Sequence, residues 1–207
     1  MELAETKLFS LFYHEVWWLS NGIVKKCEKI FEKAKVPKQG YIIQVDPELH
    51  STIASVLSDA ANIKKIIVTS SVKQNGENGA RFKLRKERAR DLLETLAGLP
   101  LSELLNHKVR NTLEHFDEYL DEANYDISRK QPMGTMAAYN MVISHWEASS
   151  PRVYPIRLYV SSEKKFYNMK WVVDIGLIKA EAESIVRRLR DLPMFKDQEP
   201  GGLMIHV

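Results

Sequence analysis

The sequence predicts a mainly α-helical fold, a helical bundle that is followed by a small β-hairpin and a final helix. Apolar residues recur at three- and four-residue steps through much of the first 148 residues, as in amphipathic helices. Capping residues, glycines and prolines separate these periodic segments. After Pro151, two short runs rich in β-branched and aromatic residues flank a turn. We therefore expect a bundle domain over residues 1–148 and a hairpin and helix extension, packed on it, over 149–207.

The first two helices follow from the clearest periodicity. Apolar residues at three- and four-residue steps predict one long helix over about residues 5–34. The run Tyr41–Val45 that follows is either a buried extended link or a brief strand. Asp46-Pro47 then supplies a capping side chain and a proline at the first helical position, so a second helix is expected to run to about Val72.

The rest of the predicted bundle contains three more helices. A glycine-containing loop over 74–79 precedes a third helix over about 80–97, and a fourth is expected over about 103–124. Pro132 and Gly134 indicate a loop, and a short helix is expected over 136–146.

The extension begins with the predicted hairpin. Its strands are expected over 153–160 and 165–173, with the turn between them at 161–164. Asp174 can cap a final helix, whose apolar stripe contains Ile178, Ala182, Ile185, Leu189 and Leu192.

Composition and charge restrict the class of protein. The chain is 44% hydrophobic and 28% charged, which is ordinary for a globular domain. A net charge of +3 permits an anionic partner but does not require one. The single cysteine, Cys27, lies on an apolar helix face and is expected in the core.

No apolar run is long enough for a membrane helix, and Met1–Glu5 lacks the basic region of a signal peptide, so a cytoplasmic protein is expected.

The most specific motif is Arg110-Asn111-Thr112-Leu113-Glu114-His115, on the fourth predicted helix. Cleavage of RNA by its own 2′-hydroxyl needs one group to take a proton and another to return one, and histidine, with a pKa of about 6.5, suits both tasks. The guanidinium of Arg110 can offset the negative charge that builds on the phosphorane during this attack. Asn111 can orient the phosphate or a base, and Glu114 lies four residues from Arg110, at the spacing of a helical salt bridge.

This string resembles the R-x4–6-H signature of the HEPN superfamily, in the form with a polar residue after the arginine. The longer run 110–121 resembles the corresponding helix of uncharacterised bacterial HEPN-like proteins. The resemblance implies an up-and-down helical bundle that forms a homodimer through the motif helices. It also implies a metal-independent endoribonuclease, often a toxin or antiphage effector, with Arg110 and His115 as the catalytic pair and Asn111 beside them. The antitoxin partner stays unknown. HEPN toxins that are paired with a nucleotidyltransferase antitoxin have a tyrosine two residues after the histidine, and here that position is Asp117.

Further residues are candidates for RNA binding. Arg81, Arg85 and Arg88 share one stripe of the third predicted helix and can grip a phosphate backbone, although a solvated helix face is the commoner use of such a stripe. His107 lies on the same helical flank as Asn111 and His115. We expect no metal or other cofactor, since the acidic residues around the motif lack the spacing of a metal-binding helix.

Three hypotheses remain open from the sequence. The first is a HEPN-type ribonuclease that acts on RNA through Arg110 and His115. The second is a non-catalytic HEPN-like module that binds a nucleotide, RNA or a protein partner. The third is a structural dimer in which Arg110, Glu114 and His115 form a polar network without catalysis.

Overall fold

The structure, a computed structural model, describes residues 6–130, 136–196 and 198–205, without the side chains of 109, 110, 112, 113 and 130. These ranges contain six α-helices and one five-stranded mixed sheet. The helices are α1 (Ser10–Lys33), α2 (Pro47–Ile67), α3 (Gly79–Thr95), α4 (His107–Glu114), α5 (Phe116–Lys130) and α6 (Ile175–Arg190). The strands are β1 (Ile43–Gln44), β2 (Ala137–Ile143), β3 (Tyr154–Val160), β4 (Lys165–Asn168) and β5 (Trp171–Asp174).

The apolar faces of the helices α1, α2 and α6 form the main core. Helix α1 packs against both α2 and α6. The predicted caps are confirmed: the side chain of Asp46 accepts a hydrogen bond from the amide of Leu49, and that of Asp174 from the amide of Leu177. Side chains that are fully buried where these helices meet include Ile23, Cys27, Ile53, Leu57, Ile178, Ile185 and Leu189. The periodicity of the sequence therefore identified this core correctly.

The sheet connects strands from both sides of residue 148. Its order is β1-β2-β3-β4-β5, with β2 and β3 parallel and the other neighbours antiparallel. One face packs into the helical core through Val142, Tyr159, Phe166 and Val173. The other face forms a smaller apolar cluster around Ile143, Leu158 and Val160, which Trp146 and Tyr167 cover.

The predicted fold class, a helical bundle with a hairpin and helix appendage, is therefore wrong. The hairpin formed by β3 and β4 is present, but it belongs to a larger sheet, and α6 packs in the main core. The short helix expected over 136–146 is instead mainly the strand β2. Alanine and methionine favour a helix in isolation. Pairing of this segment with the strand β3, which lies further along the chain, overrides that preference.

The two parallel strands are kinked at the same level. Asn140 on β2 and Arg157 on β3 lie opposite each other, and both have positive φ angles, 51° and 56°. For residues other than glycine this left-handed conformation costs about 1–2 kcal/mol each. It also shifts the alternation of side chains, because Ala138 and Met141 pack in the same cluster although they are three residues apart. The kink therefore turns polar side chains toward a place where an uninterrupted sheet would carry apolar ones.

A buried carboxylate joins the core to the segment that leads into α4. Glu181 on α6 accepts hydrogen bonds from the amides of Glu103 and Leu104, at 3.0 and 2.6 Å, and from the Ser102 hydroxyl. Glu103 in turn accepts from the amide of Asp174 and pairs with Lys108 at 2.9 Å. The start of α4 is thereby held against the start of α6.

Candidate functional site

The helix that carries the motif is interrupted at His115. A single helix was expected over 103–124, but α4 ends at Glu114 and α5 begins at Phe116. His115 has the non-helical angles φ −120° and ψ 35°, and its amide still donates to the carbonyl of Asn111. No proline or glycine lies at the break. The interruption accompanies contacts from the first turns of α5 to the sheet, where Phe116 meets Arg157 and Tyr119 meets Trp171.

Four rings form a continuous row across α4, β5 and α5. The His107 ring lies edge-on to Trp171 at 5.8 Å between centroids, Trp171 lies 5.7 Å from Tyr119, and Tyr119 lies 6.1 Å from His115. The structure thus links two of the predicted site residues, His107 and His115, through two aromatic side chains. We call this set of residues, together with Lys170, the ring row.

The ring row carries both charge signs. The Nδ1 atom of His115 lies 3.3 Å from a carboxylate oxygen of Glu118, and the His115 side chain is 42% exposed. The Lys170 ammonium lies 4.4 Å from the centre of the Tyr119 ring and 2.5 Å from Glu122. The hydrogen bond from Lys170 to Glu122 raises the pKa of the lysine above its usual value. The surface therefore carries an imidazole oriented by Glu118, a lysine paired with Glu122, and two aromatic rings.

The remaining motif residues lie on α4. Asn111 is half-buried and Glu114 is exposed, with one oxygen 3.7 Å from Lys65 on α2. The predicted catalytic Arg110 belongs to the same helix, and its side chain lies outside the described part of the chain. The Arg110–Glu114 salt bridge that the spacing indicates stays a prediction.

The three arginines predicted to bind RNA lie on α3 and line a groove beside Phe12. Arg85 is only 10% exposed and pairs at 2.7 Å with Glu77, whose side chain is 6% exposed, and its guanidinium also bonds Thr69 and the carbonyl of Val72. Arg88 is half-buried over the Phe12 ring, and burial lowers its pKa. Arg81 is exposed. Two of the three arginines therefore have structural contacts within the chain.

Sequence reasoning missed three members of the ring row, Tyr119, Lys170 and Trp171. Tyr119 lies four residues after His115, so helical spacing offered a signal for it. No local signal pointed to Lys170 or Trp171, because the turn between β4 and β5 brings them to α5 from about 50 residues further along the chain. Recognising them requires the sheet topology.

Comparison of the chain with protein-family models, with curated proteins and with solved structures found no match. Among the described helices, none combines the length and apolar character that a membrane span requires. Within the same ranges, no three or more His, Cys, Asp or Glu side chains are grouped so that they could hold a metal ion. Functional inference therefore depends on the geometry of the chain itself.

Proposed function

We propose that this protein is a metal-independent endoribonuclease of the HEPN type, with Arg110 and His115 as its catalytic residues. The observation that carries the proposal is the accessible His115 imidazole, which is held by Glu118 at the α4–α5 break. A hydrogen bond at one ring nitrogen fixes the orientation of an imidazole and leaves the other nitrogen for proton transfer.

The ring row supports RNA as the substrate class. Single-stranded RNA is held by aromatic faces on which bases stack and by cations that contact phosphates. Tyr119 and Trp171 are half-buried rings beside His115, and Lys170 lies over both at 4.4 and 5.9 Å. Bases on the rings would bring the adjoining phosphate near the imidazole.

The proposed reaction is a transfer within the RNA strand. His115 takes the proton of a 2′-hydroxyl, and that oxygen attacks the adjacent phosphorus. The bond from phosphorus to the 5′-oxygen breaks, which leaves a 2′,3′-cyclic phosphate, and the departing oxygen receives a proton from a second imidazole. The Arg110 guanidinium stabilises the negative charge on the phosphorane.

The second imidazole is supplied in this proposal by another copy of the chain. A homodimer with its motif helices across a two-fold axis would bring two His115 and two Arg110 residues to one cleft. The exposed apolar side chain of Leu120, on α5 next to the ring row, is available for such a contact. Light scattering of the purified protein should therefore give the mass of two chains.

The test is cleavage of single-stranded RNA, labelled at its 5′ end, in the presence of EDTA. We expect R110A and H115A each to lower the cleavage rate by about 100-fold or more, since general acid–base and charge-stabilising groups contribute at least that much. R190A is the matched control, because Arg190 is exposed on the last turn of α6, and it should cleave as the wild type does. The 5′ product should carry a cyclic phosphate, and a 2′-deoxy substitution at the cleavage position should abolish the reaction.

Three results would contradict the proposal. Wild-type protein that leaves varied RNAs intact would exclude the activity on those RNAs, and RNA binding without cleavage would favour the non-catalytic module. Equal cleavage by H115A and the wild type would exclude His115 as the catalytic group. Circular dichroism of each variant separates loss of catalysis from loss of folding.

A further inference from the structure

A cavity between α2 and the sheet, separate from the ring row, has the composition of a small-molecule site. Its volume is about 360 Å³, within the range of ligand pockets in proteins. The first turns of α2 form one wall, and the strands β2, β3 and β4 form the other. Leu57 and Phe166 supply apolar surface, while the polar lining consists of Ser51, His50, Asn140, Arg157 and Asn168.

Some buried polar atoms in this lining make no hydrogen bond of normal geometry with the protein. Both ring nitrogens of His50 and the amide oxygen of Asn140 are buried without a hydrogen bond of normal geometry in the described structure. Main-chain groups of Met141 and Asn140 lie near the His50 ring and oppose the larger effect of burial, which lowers the pKa of His50. A neutral imidazole offers one donor and one acceptor. The polar groups around the cavity are thus satisfied only in part by the chain itself.

Arg157 supplies the positive charge. Its guanidinium lies 3.7 Å from the centre of the Phe116 ring and close enough to His50 to lower the pKa of that histidine further. No acidic side chain in the described ranges forms an ion pair with Arg157.

The kink explains why these groups converge. Asn140 and Arg157 lie opposite each other on adjacent strands, and both adopt the left-handed conformation. A costly conformation that recurs at the same level of two neighbouring strands, between the paired residues Tyr139–Ile156 and Met141–Leu158, and with both side chains lining one cavity, is typical of a functional site.

We propose that this cavity binds a small phosphorylated metabolite that carries hydroxyl or amino donors, the chemical class that includes ribonucleoside monophosphates. The phosphate would pair with Arg157, whose planar guanidinium matches two phosphate oxygens. Hydroxyl or amino groups of the ligand would face the polar side chains that line the cavity, among them Ser51 and Asn140. The flat or apolar part of the ligand would contact Phe166 and Leu57.

The experiment is isothermal titration calorimetry of the full chain with the four ribonucleoside 5′-monophosphates, with ribose 5-phosphate, and with adenosine and inorganic phosphate alone. We expect at least one of the phosphorylated sugars to bind at least tenfold more tightly than either adenosine or phosphate. R157M should weaken that binding at least tenfold. R190M, a matched change at an exposed arginine, should leave it unaltered.

A second variant covers the case in which R157M fails to fold. Ala54 is exposed on α2 and lines the cavity, so A54W should block it without disturbing the core. N62W, two turns further along α2 and also exposed, is its control and should bind normally. H115A should bind as the wild type does, which separates this site from the proposed ribonuclease site.

Several results would overturn the proposal. One is the absence of any binding tighter than about 1 mM by the phosphorylated sugars. Another is equal binding by A54W and the wild type. Binding of inorganic phosphate as tight as that of the sugar phosphates would also overturn it, because the polar and apolar walls would then contribute nothing.

Discussion

The helical core formed by α1, α2 and α6 differs in kind from the region where α4, α5 and the kinked β2–β3 pair meet. The core is mainly apolar and regularly periodic, and two of its three helices, α2 and α6, begin at a capping aspartate. The second region, which we call the kinked side, contains a broken helix at His115 and left-handed residues at Asn140 and Arg157. Its strands also place the polar side chains of Asn140 and Arg157 in the lining of a cavity. This difference indicates that the core supplies stability and that the kinked side gives up some stability to position polar groups.

The largest expected effect is on the core. Trp17 is 2% exposed and packs 4.5 Å from the Phe195 ring, so W17A should lower the free energy of unfolding by about 3–5 kcal/mol. The neighbouring Trp18 is 52% exposed, and W18A should cost less than about 1 kcal/mol. Urea denaturation followed by circular dichroism measures both. Equal losses of unfolding free energy in the two variants would show that α1 does not bury Trp17 and expose Trp18 as the structure has it.

The next largest effect is at the junction of the two regions. E181A removes the acceptor for the amides of Glu103 and Leu104 and should cost about 3 kcal/mol, because buried donors would lose a charged partner. E181Q keeps one carbonyl acceptor and should cost less. Glu183, paired with Lys179 on the same helix, is the control, since in E183A Lys179 would keep its second partner, Glu28. A loss no larger in E181A than in E183A would break the inferred link between α6 and α4.

The two regions also differ in how far the sequence predicted them. Helices α1, α2 and α6 were predicted because burial repeats every three or four residues along each of them and a capping side chain marks the start of α2 and of α6. The break at His115 and the strand β2 were missed, because contacts remote in sequence determine both: Phe116 with Arg157, and β2 with β3. The same reason applies to the site, where His107 and His115 were named from helical spacing but Trp171 was not.

A smaller effect tests the kink itself. N140A and N140G both remove the amide group, so they differ only in the β-carbon that alanine keeps. At a φ of 51° glycine avoids the steric cost that alanine bears, partly offset by the greater freedom of glycine in the unfolded chain. We expect N140G to be more stable than N140A by roughly 0.5–1 kcal/mol, measured by the same urea denaturation. The opposite order would show that Asn140 does not adopt the left-handed conformation.

The last expected effect is confined to acid pH, where the contact between Glu77, in the loop before α3, and Arg85, on α3, should weaken. The hydrogen bond from Arg85 lowers the pKa of Glu77 from 4.5 to about 2. Because the native pKa lies below the ordinary value, the stabilisation is complete above about pH 4.5 and is lost as the pH falls toward 2. The difference in stability between the wild type and E77Q should therefore be largest near neutral pH and should shrink through that window. Urea midpoints of both proteins at pH 7, 4, 3 and 2 measure this difference, and a constant difference would show that the Glu77 carboxylate is not paired with Arg85. Such a result would also return Arg85 to the set of arginines available for RNA, and would weaken the inference that the basic stripe of α3 serves the fold.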